Sequence, residues 1–493
     1  MRRAALAGSV LSAALVGVVP VSGLSPAARA ALAVAAFAAG CWITGALPLP
    51  VTAALVPPLA AVTGAQPTLS AAFAPMADPV VFLLFAGFVL AAALERHGVD
   101  RRVAFLVVRS LGTSPRRLLL AVMVTTAGLS MLLSNSATTA MMVPVAVSVA
   151  RAGAVGTDGG APNGNERPNF ERALLLGTAY AASIGGVGTL IGTPPNAIVV
   201  AALAEAGIHV GFAEWLAIGL PVVAVGLPVA WLLLLWLFPP GEVDVARARR
   251  TATEGLASAG GLDRDARVTV AVVAATAVLW LVGGLGFLVR GQLPTDVHAA
   301  LFGGRGLLHY VVVGLLGVGA LFALGAVEWD EVTDIDWGTL LLLGGGIALA
   351  DALDRSGAVA YLATAAVETV GDIPVAVLVF GLVVGVVALS ELASNTATAA
   401  VLAPILVGVG PRYATALGTT GDGAAAFLAV VGAVAASFGF ALPVATPPNA
   451  IAFGTGHVER DDMLRAGVVL DAAMALVASG SLYLLFRFVL SFG

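Results

Sequence analysis

The sequence predicts an all-α, polytopic membrane protein with about 11 transmembrane helices and two re-entrant hairpins. Three observations carry that prediction. The chain of 493 residues is 59% hydrophobic and 11% charged, where a soluble domain is about half apolar and about a quarter charged. Apolar runs of about 20 residues, the length a helix needs to cross a ~30 Å hydrocarbon core, recur along the whole length. The alternating strands of about 10 residues that build a membrane β-barrel are not seen in the pattern.

In chain order, apolar segments predict helices near 6–23, 30–46, 50–64 and 79–95. The first of them, MRRAALAGSVLSAALVGVVP followed by SPAARA, imitates a secretory signal with a cleavage site. The apolar segment that follows at once favours a retained first helix, and 1–78 are read as N-terminal scaffold helices. An arginine cluster (Arg96, Arg101, Arg102, Arg109, Arg116, Arg117) precedes 118–150, which is apolar but interrupted at Ser134-Asn135-Ser136. A polar loop over 151–172 leads to 173–205, broken at Gly192-Thr193-Pro194-Pro195-Asn196. A helix over 213–238 ends at Pro239-Pro240, and 241–267 form a charged cytoplasmic connector. Helices near 268–289 and 307–325 follow, then the acidic loop EWDEVTDID and a helix near 338–353. Residues 375–409 are interrupted at Ser394-Asn395-Thr396, and 424–455 are broken at Thr446-Pro447-Pro448-Asn449. A last helix covers 467–490.

The two halves repeat. FAGFVLAAALERHG (85–98) matches LGGGIALADALDRSG (343–357), with Gly87 and Gly346, Arg96 and Arg355, and Gly98 and Gly357 each offset by 259. Ser134 and Ser394 are offset by 260, and Thr193 and Thr446 by 253. The cores of the repeats are therefore 79–205, with a hairpin over 118–150, and 338–455, with a hairpin over 375–409. If the hairpins do not cross and the N-terminus is cytoplasmic, 18 of the 24 arginines fall on the cytoplasmic side, as the positive-inside rule requires. Five crossings then separate the repeats, so they are inverted, and the C-terminus lies outside. Inverted repeats with interrupted helices in matching places point to the binding site of a secondary transporter.

The interruptions carry the chemistry. Free N–H groups at a helix start attract anions and free carbonyls at a helix end attract cations. Such backbone is tolerated at membrane depth only where it lines a cavity. Two prolines remove two donors and break the helix, freeing carbonyls at Gly192 and Ala445. Asn196 and Asn449 are placed to cap the half-helix that continues. Ser, Thr and Asn supply neutral oxygens, and Asn also donates to an oxyanion. No arginine lies in 118–150 or 375–411, so an anion there must be met by helix starts, hydroxyls, amides and co-bound cations. Glu391, which has Met131 as its counterpart, is read as a structural hydrogen-bonding or ion-pairing residue, with a direct part in proton or sodium coupling as the alternative. The single cysteine, Cys41, excludes an intramolecular disulfide and reads as a packing residue, and the five scattered histidines have no metal-ligand spacing. Neither hairpin places His or Lys beside its serines, which argues against an intramembrane hydrolase.

At this point the sequence resembles the divalent anion/sodium symporters, which carry di- and tricarboxylates or sulfate. The resemblance rests on SNSATTAMMVP (134–144), SNTATAAVLAP (394–404), GTPPNAI (192–198), LPVATPPNAIAFGTG (442–456), CWITGALPLPVTA (41–53) and ALERHGVDRRVA (93–104). It implies an inner-membrane homodimer in which a transport domain moves against a scaffold like an elevator. It also implies two sodium sites: Ser130, Ser134, Asn135 and the carbonyl of Gly192, and Ser390, Asn395 and the carbonyls of Ala393 and Ala445. Substrate carboxylate would meet Asn135, Ser136, Asn395 and Thr396, with Thr193, Thr446 and Pro447 nearby. Two positions depart from the family pattern: Ser136 stands where threonine is usual, and Gly45 stands where glutamate is usual. The expected function is sodium-driven symport of a small dianionic C4-dicarboxylate, with no organic cofactor and no nucleic-acid partner. A sodium-independent exchanger, a citrate or sulfate carrier and a passive anion channel are the alternatives.

Overall fold

A computed structural model describes residues 2–153, 169–289, 291–303, 306–370 and 374–488 of the chain, and every regular element among them is helical. Among the described residues, eight helices are long and apolar enough to cross a membrane by length and composition, and Leu49–Val62, Tyr310–Ala323 and Gly421–Ala436 are shorter apolar helices. Local chemistry sets their ends. Ser25 caps Pro26–Thr44 by accepting from Ala28 N at 3.0 Å, Asp78 caps Pro79–Arg96 through Val80 N at 2.7 Å, and Ser114 caps Pro115–Ser130 through Arg117 N at 3.3 Å. The repeated glycines do the same work twice. Gly98 (φ 60°) and Gly357 (φ 81°) both adopt the left-handed conformation that ends one helix and re-aims the chain into Val99–Leu111 or Ala358–Val370.

Each interrupted segment forms a helical hairpin. The first consists of Pro115–Ser130 and Asn135–Gly153, the second of Val375–Leu392 and Asn395–Val409. Both ends of the first hairpin lie on one face. Arg116 O accepts from Trp231 Nε1 at 3.0 Å near the end of Phe212–Leu237, and Gly153 O accepts from Asp244 N at 2.8 Å a few residues further on. The chain thus enters and leaves on the same side. An arm of 16 residues reaches about 24 Å, short of a ~30 Å core. In the second hairpin, Arg412, just past its end, donates to Thr364 Oγ1 at 3.2 Å on Ala358–Val370, the helix that leads into it.

The segments that the arginine distribution groups together touch one another. Arg102 donates to Ala259 O and Gly260 O, Arg249 donates to Arg109 O, Arg151 meets His457, and Arg172 pairs with Asp462 at 3.2 Å. Arg96 pairs with Glu331 at 2.7 Å. The Glu328 backbone N–H, and after it this guanidinium, hold the Glu331 carboxyl below the ordinary carboxylate range.

Several boundaries differ from the sequence reading. The connector 241–267 contains a helix, Val245–Ser258, which Asp244 caps through Arg247 N at 2.9 Å and which buries Ala248 and Ala252. Val99–Leu111 and Ala358–Val370 are also helices. Their amphipathic periodicity is too short and, in the first, too charged to register as a membrane span. The first helix, Arg2–Val18, stops short of Pro20, and the last begins at Arg460, not 467, with Asp461 and Asp462 in its first turn where the helix dipole favours acids. The middle of the polar loop, 154–168, lies outside the described residues. Cys41 is fully buried, as a packing residue would be.

Candidate functional site

At the tip of the first hairpin the chain turns between Ser130 and Asn135, and Ser134 Oγ accepts from Ala137 N at 3.2 Å. Ser130 Oγ lies 2.6 Å from Asn135 Oδ1 and 2.7 Å from Ala182 O. The second hairpin repeats this: Ser390 Oγ lies 2.7 Å from Asn395 Oδ1 and 2.7 Å from Ala436 O. Both serines are fully buried. A hydroxyl has one hydrogen for those two oxygens, so each tip gathers more acceptors than donors. In the first, the Asn135 amide atom nearest Ser130 also sits 3.1 Å from Ala182 O and 3.3 Å from Gly192 O. With nitrogen there, Asn135 donates to these groups. With oxygen there, four oxygens converge, which is favourable only with a cation between them. Only in that second orientation does the set of oxygens suit a hard cation.

The TPPN elements close the breaks in an unexpected way. Asn196 and Asn449 do not cap the half-helices Pro194–Glu205 and Pro447–Gly454. They stand one residue inside the double proline, and their side chains point back toward the helix start. Asn196 Nδ2 donates to Gly186 O at 2.9 Å and Thr189 O at 2.8 Å, and Asn449 Nδ2 donates to Gly439 O and Leu442 O, each at 3.0 Å. The partners lie ten and seven residues upstream in both halves, so each asparagine ties together the unwound stretch before it. The cap in the second half is Thr446, whose Oγ1 accepts from Asn449 N at 3.3 Å. Thr193 makes no such bond.

The tip of each hairpin is also fastened to the neighbouring break. In the first half Thr189 Oγ1 donates to Met131 O. In the second, Glu391 accepts from Ala441 N at 2.8 Å and Leu442 N at 2.9 Å. Met131 and Glu391 are counterparts at the repeat offset of 260, and Thr189 and Leu442 at 253. The same two places are joined in both halves, once by a hydroxyl from the loop and once by a carboxylate from the hairpin. This is the structural hydrogen bonding expected of Glu391, and it explains why the first half lacks an acid there.

Both tips and both breaks face one cavity of about 910 Å³. Ser134, Asn135, Ser136, Gly192, Thr193, Ala393, Asn395, Thr396, Ala445, Thr446 and Pro447 line it. Of the residues assigned in the sequence to the sodium sites and to substrate, all but Ser130 and Ser390 are on that surface. Four helices start at the cavity wall, at Asn135, Pro194, Asn395 and Pro447, and each directs the positive end of its dipole there, while free N–H groups come only from the starts at Asn135 and Asn395, since the double prolines carry none. Among the described residues, no arginine or histidine lines it. Sequence reasoning missed further lining residues, Trp42–Thr44, Leu49, Phe88, Asp336, Gly338, Thr339 and Leu342, which come from outside the hairpins and breaks. Asp336 and Thr339 follow the loop whose Glu331 pairs with Arg96, so the cavity extends toward the arginine-rich face.

Residues 4–486 match the family model described as the sodium:sulfate symporter transmembrane region. The chain belongs to this family. It is therefore a multi-pass membrane transporter and not an enzyme. Among its symporter-family relatives, an uncharacterized transporter of Haemophilus influenzae is 33% identical over 95% of this chain and 93% of its own length. The sodium-dependent dicarboxylate transporter SdcS of Staphylococcus saprophyticus is 32% identical, covering 88% of this chain and 82% of its own. The fold is similar to that of the Neisseria gonorrhoeae MtrF efflux pump (TM-score 0.59, 12% identity, 98% of both chains). It is also similar to that of the Alcanivorax borkumensis YdaH transporter (TM-score 0.51, 15% identity, 85% of this chain and 87% of that one).

Close approach at the first tip makes one substitution decisive. A Cβ on Gly186 would overlap Asn135 Oδ1 and stand 3.0 Å from Cγ and Nδ2 of the same amide. Gly186→Ala is expected to displace Asn135 and cut uptake at least tenfold with the protein still inserted and folded, as followed by proteoliposome transport and a melting curve.

Proposed function

We propose that the chain is a sodium-coupled symporter for a C4-dicarboxylate such as succinate, malate or fumarate. The observation that carries this reading is the convergence of four helix starts on a cavity whose polar lining is amides, hydroxyls and the single carboxylate of Asp336, with no basic side chain among the described residues. A dianion there needs compensating charge, because an uncompensated ion out of water costs several kcal/mol. Two sodium ions would neutralise it and make the loaded site cheap to move. Ser130, Ser134, Asn135 and the Gly192 carbonyl would hold one ion. Ser390, Asn395 and the Ala393 and Ala445 carbonyls would hold the other. Asn135, Ser136, Asn395 and Thr396 would meet carboxylate, with Thr193, Thr446 and Pro447 beside it. The SdcS relatives, named as sodium-dependent dicarboxylate transporters, support the choice of cation and substrate class.

The same proposal includes eleven crossings, inverted repeats, a cytoplasmic N-terminus and a C-terminus outside. The arginine-rich face is then cytoplasmic and the cavity is in its inward-facing form. Transport proceeds by an elevator motion of the two repeat cores, 79–205 and 338–455, within a homodimer in the inner membrane. A substrate panel of thermal shifts tests the reading. Succinate, malate or fumarate should raise the melting midpoint in sodium chloride and leave it unchanged in choline chloride. Stabilisation by sulfate or citrate alone, or equal stabilisation in choline, would refute it.

A further inference from the structure

A second, smaller cavity lies away from the transport site. Val99–Leu111 buries Asp100, Ala104 and Val108 along one side and leaves Val103, Leu106 and Leu111 exposed. Its other flank packs on Val245–Ser258, where Phe105 lies against Gly255. Between these helices is a cavity of about 440 Å³ lined by Arg109, Ser110, Ala246, Arg249, Arg250 and Thr253. Arg249 Nε donates to Arg109 O at 3.0 Å, which fixes one guanidinium at the wall. Among the described residues, no acid lines the cavity and none of the three arginines has an acidic partner within 4.0 Å.

Three like charges around one polar cavity repel unless an anion joins them. Guanidinium forks and hydroxyls match the oxygens of a phosphate group. The setting favours a phosphate that comes with a lipid. An amphipathic helix with exposed apolar residues on one edge and arginines beside them lies in the membrane interface. Basic pockets at that level meet anionic head groups. We propose that this pocket binds the phosphate of an anionic phospholipid, whose acyl chains run along Val103 and Leu106.

The test uses the purified full chain in detergent micelles doped with phosphatidylglycerol, with phosphatidylcholine, or with inorganic phosphate in the buffer. Phosphatidylglycerol should raise the melting midpoint by several degrees, and the other two should not. Arg109→Ala/Arg250→Ala should lose more than half of that shift, whereas Arg101→Ala, on the same helix but outside the cavity, should keep it. Arg250 makes no side-chain hydrogen bond among the described residues, so Arg250→Ala alone serves if the double variant does not fold. An undiminished shift in the pocket variants, or an equal shift from phosphatidylcholine, would overturn the proposal. A full shift from inorganic phosphate would overturn the lipid as the source and assign the site to the free anion.

Discussion

Asn135→Ala and Asn395→Ala are each expected to reduce dicarboxylate uptake to background, a loss of at least 100-fold. Each asparagine touches a buried serine on one side and the central cavity on the other. Removing the amide takes away an oxygen from the proposed cation site and a donor to carboxylate at once. Fold stability should change little by comparison. Ser130 retains Ala182 O, and Ser390 retains Ala436 O, each at 2.7 Å, so no buried hydroxyl is left without a partner. Melting midpoints within a few degrees of the parent, together with lost uptake, would match this account. Parent-like uptake by either variant would show that the two tips do not form one site.

The second large effect is expected at Glu391. Its carboxylate accepts two backbone N–H groups of the unwound stretch before Ala445, and hydrogen bonds to a charged group are worth about 1.5–3 kcal/mol each. Glu391→Gln replaces one acceptor with a donor that faces an N–H. The stretch should loosen, and with it the Ala445 carbonyl proposed to bind sodium. We expect uptake to fall about tenfold or more and the sodium concentration for half-maximal uptake to rise. A variant that merely lost stability would lower the amount of active protein and leave that sodium concentration unchanged. Such a result would reduce Glu391 to general structural support.

Much of the site was legible because its residues are conspicuous where they stand. Ser-Asn-hydroxyl and TPPN interrupt apolar runs, and polar groups at that depth persist only when they are partnered or functional. The repeat offsets then paired them, and all four elements meet at one cavity. What escaped has physical causes. The bonds of Asn196 to Gly186 O and Thr189 O depend on how the chain unwinds before the prolines, which no spacing reveals. The Glu391 bond spans 50 residues, and its first-half equivalent uses different chemistry at the same place. Trp42, Phe88 and Thr339 belong to helices whose apolar pattern says span but not which neighbour they face. The helices Val99–Leu111 and Val245–Ser258 bury only a few residues each, too few to stand out from the charged segments around them.

Coupling is the centre of this account, and labelled succinate uptake into proteoliposomes tests it most directly. With sodium outside and choline inside, uptake should be rapid and saturable, and it should collapse when choline replaces sodium outside. Equal uptake in choline, or uptake that requires dicarboxylate inside the vesicles and ignores sodium, would contradict it.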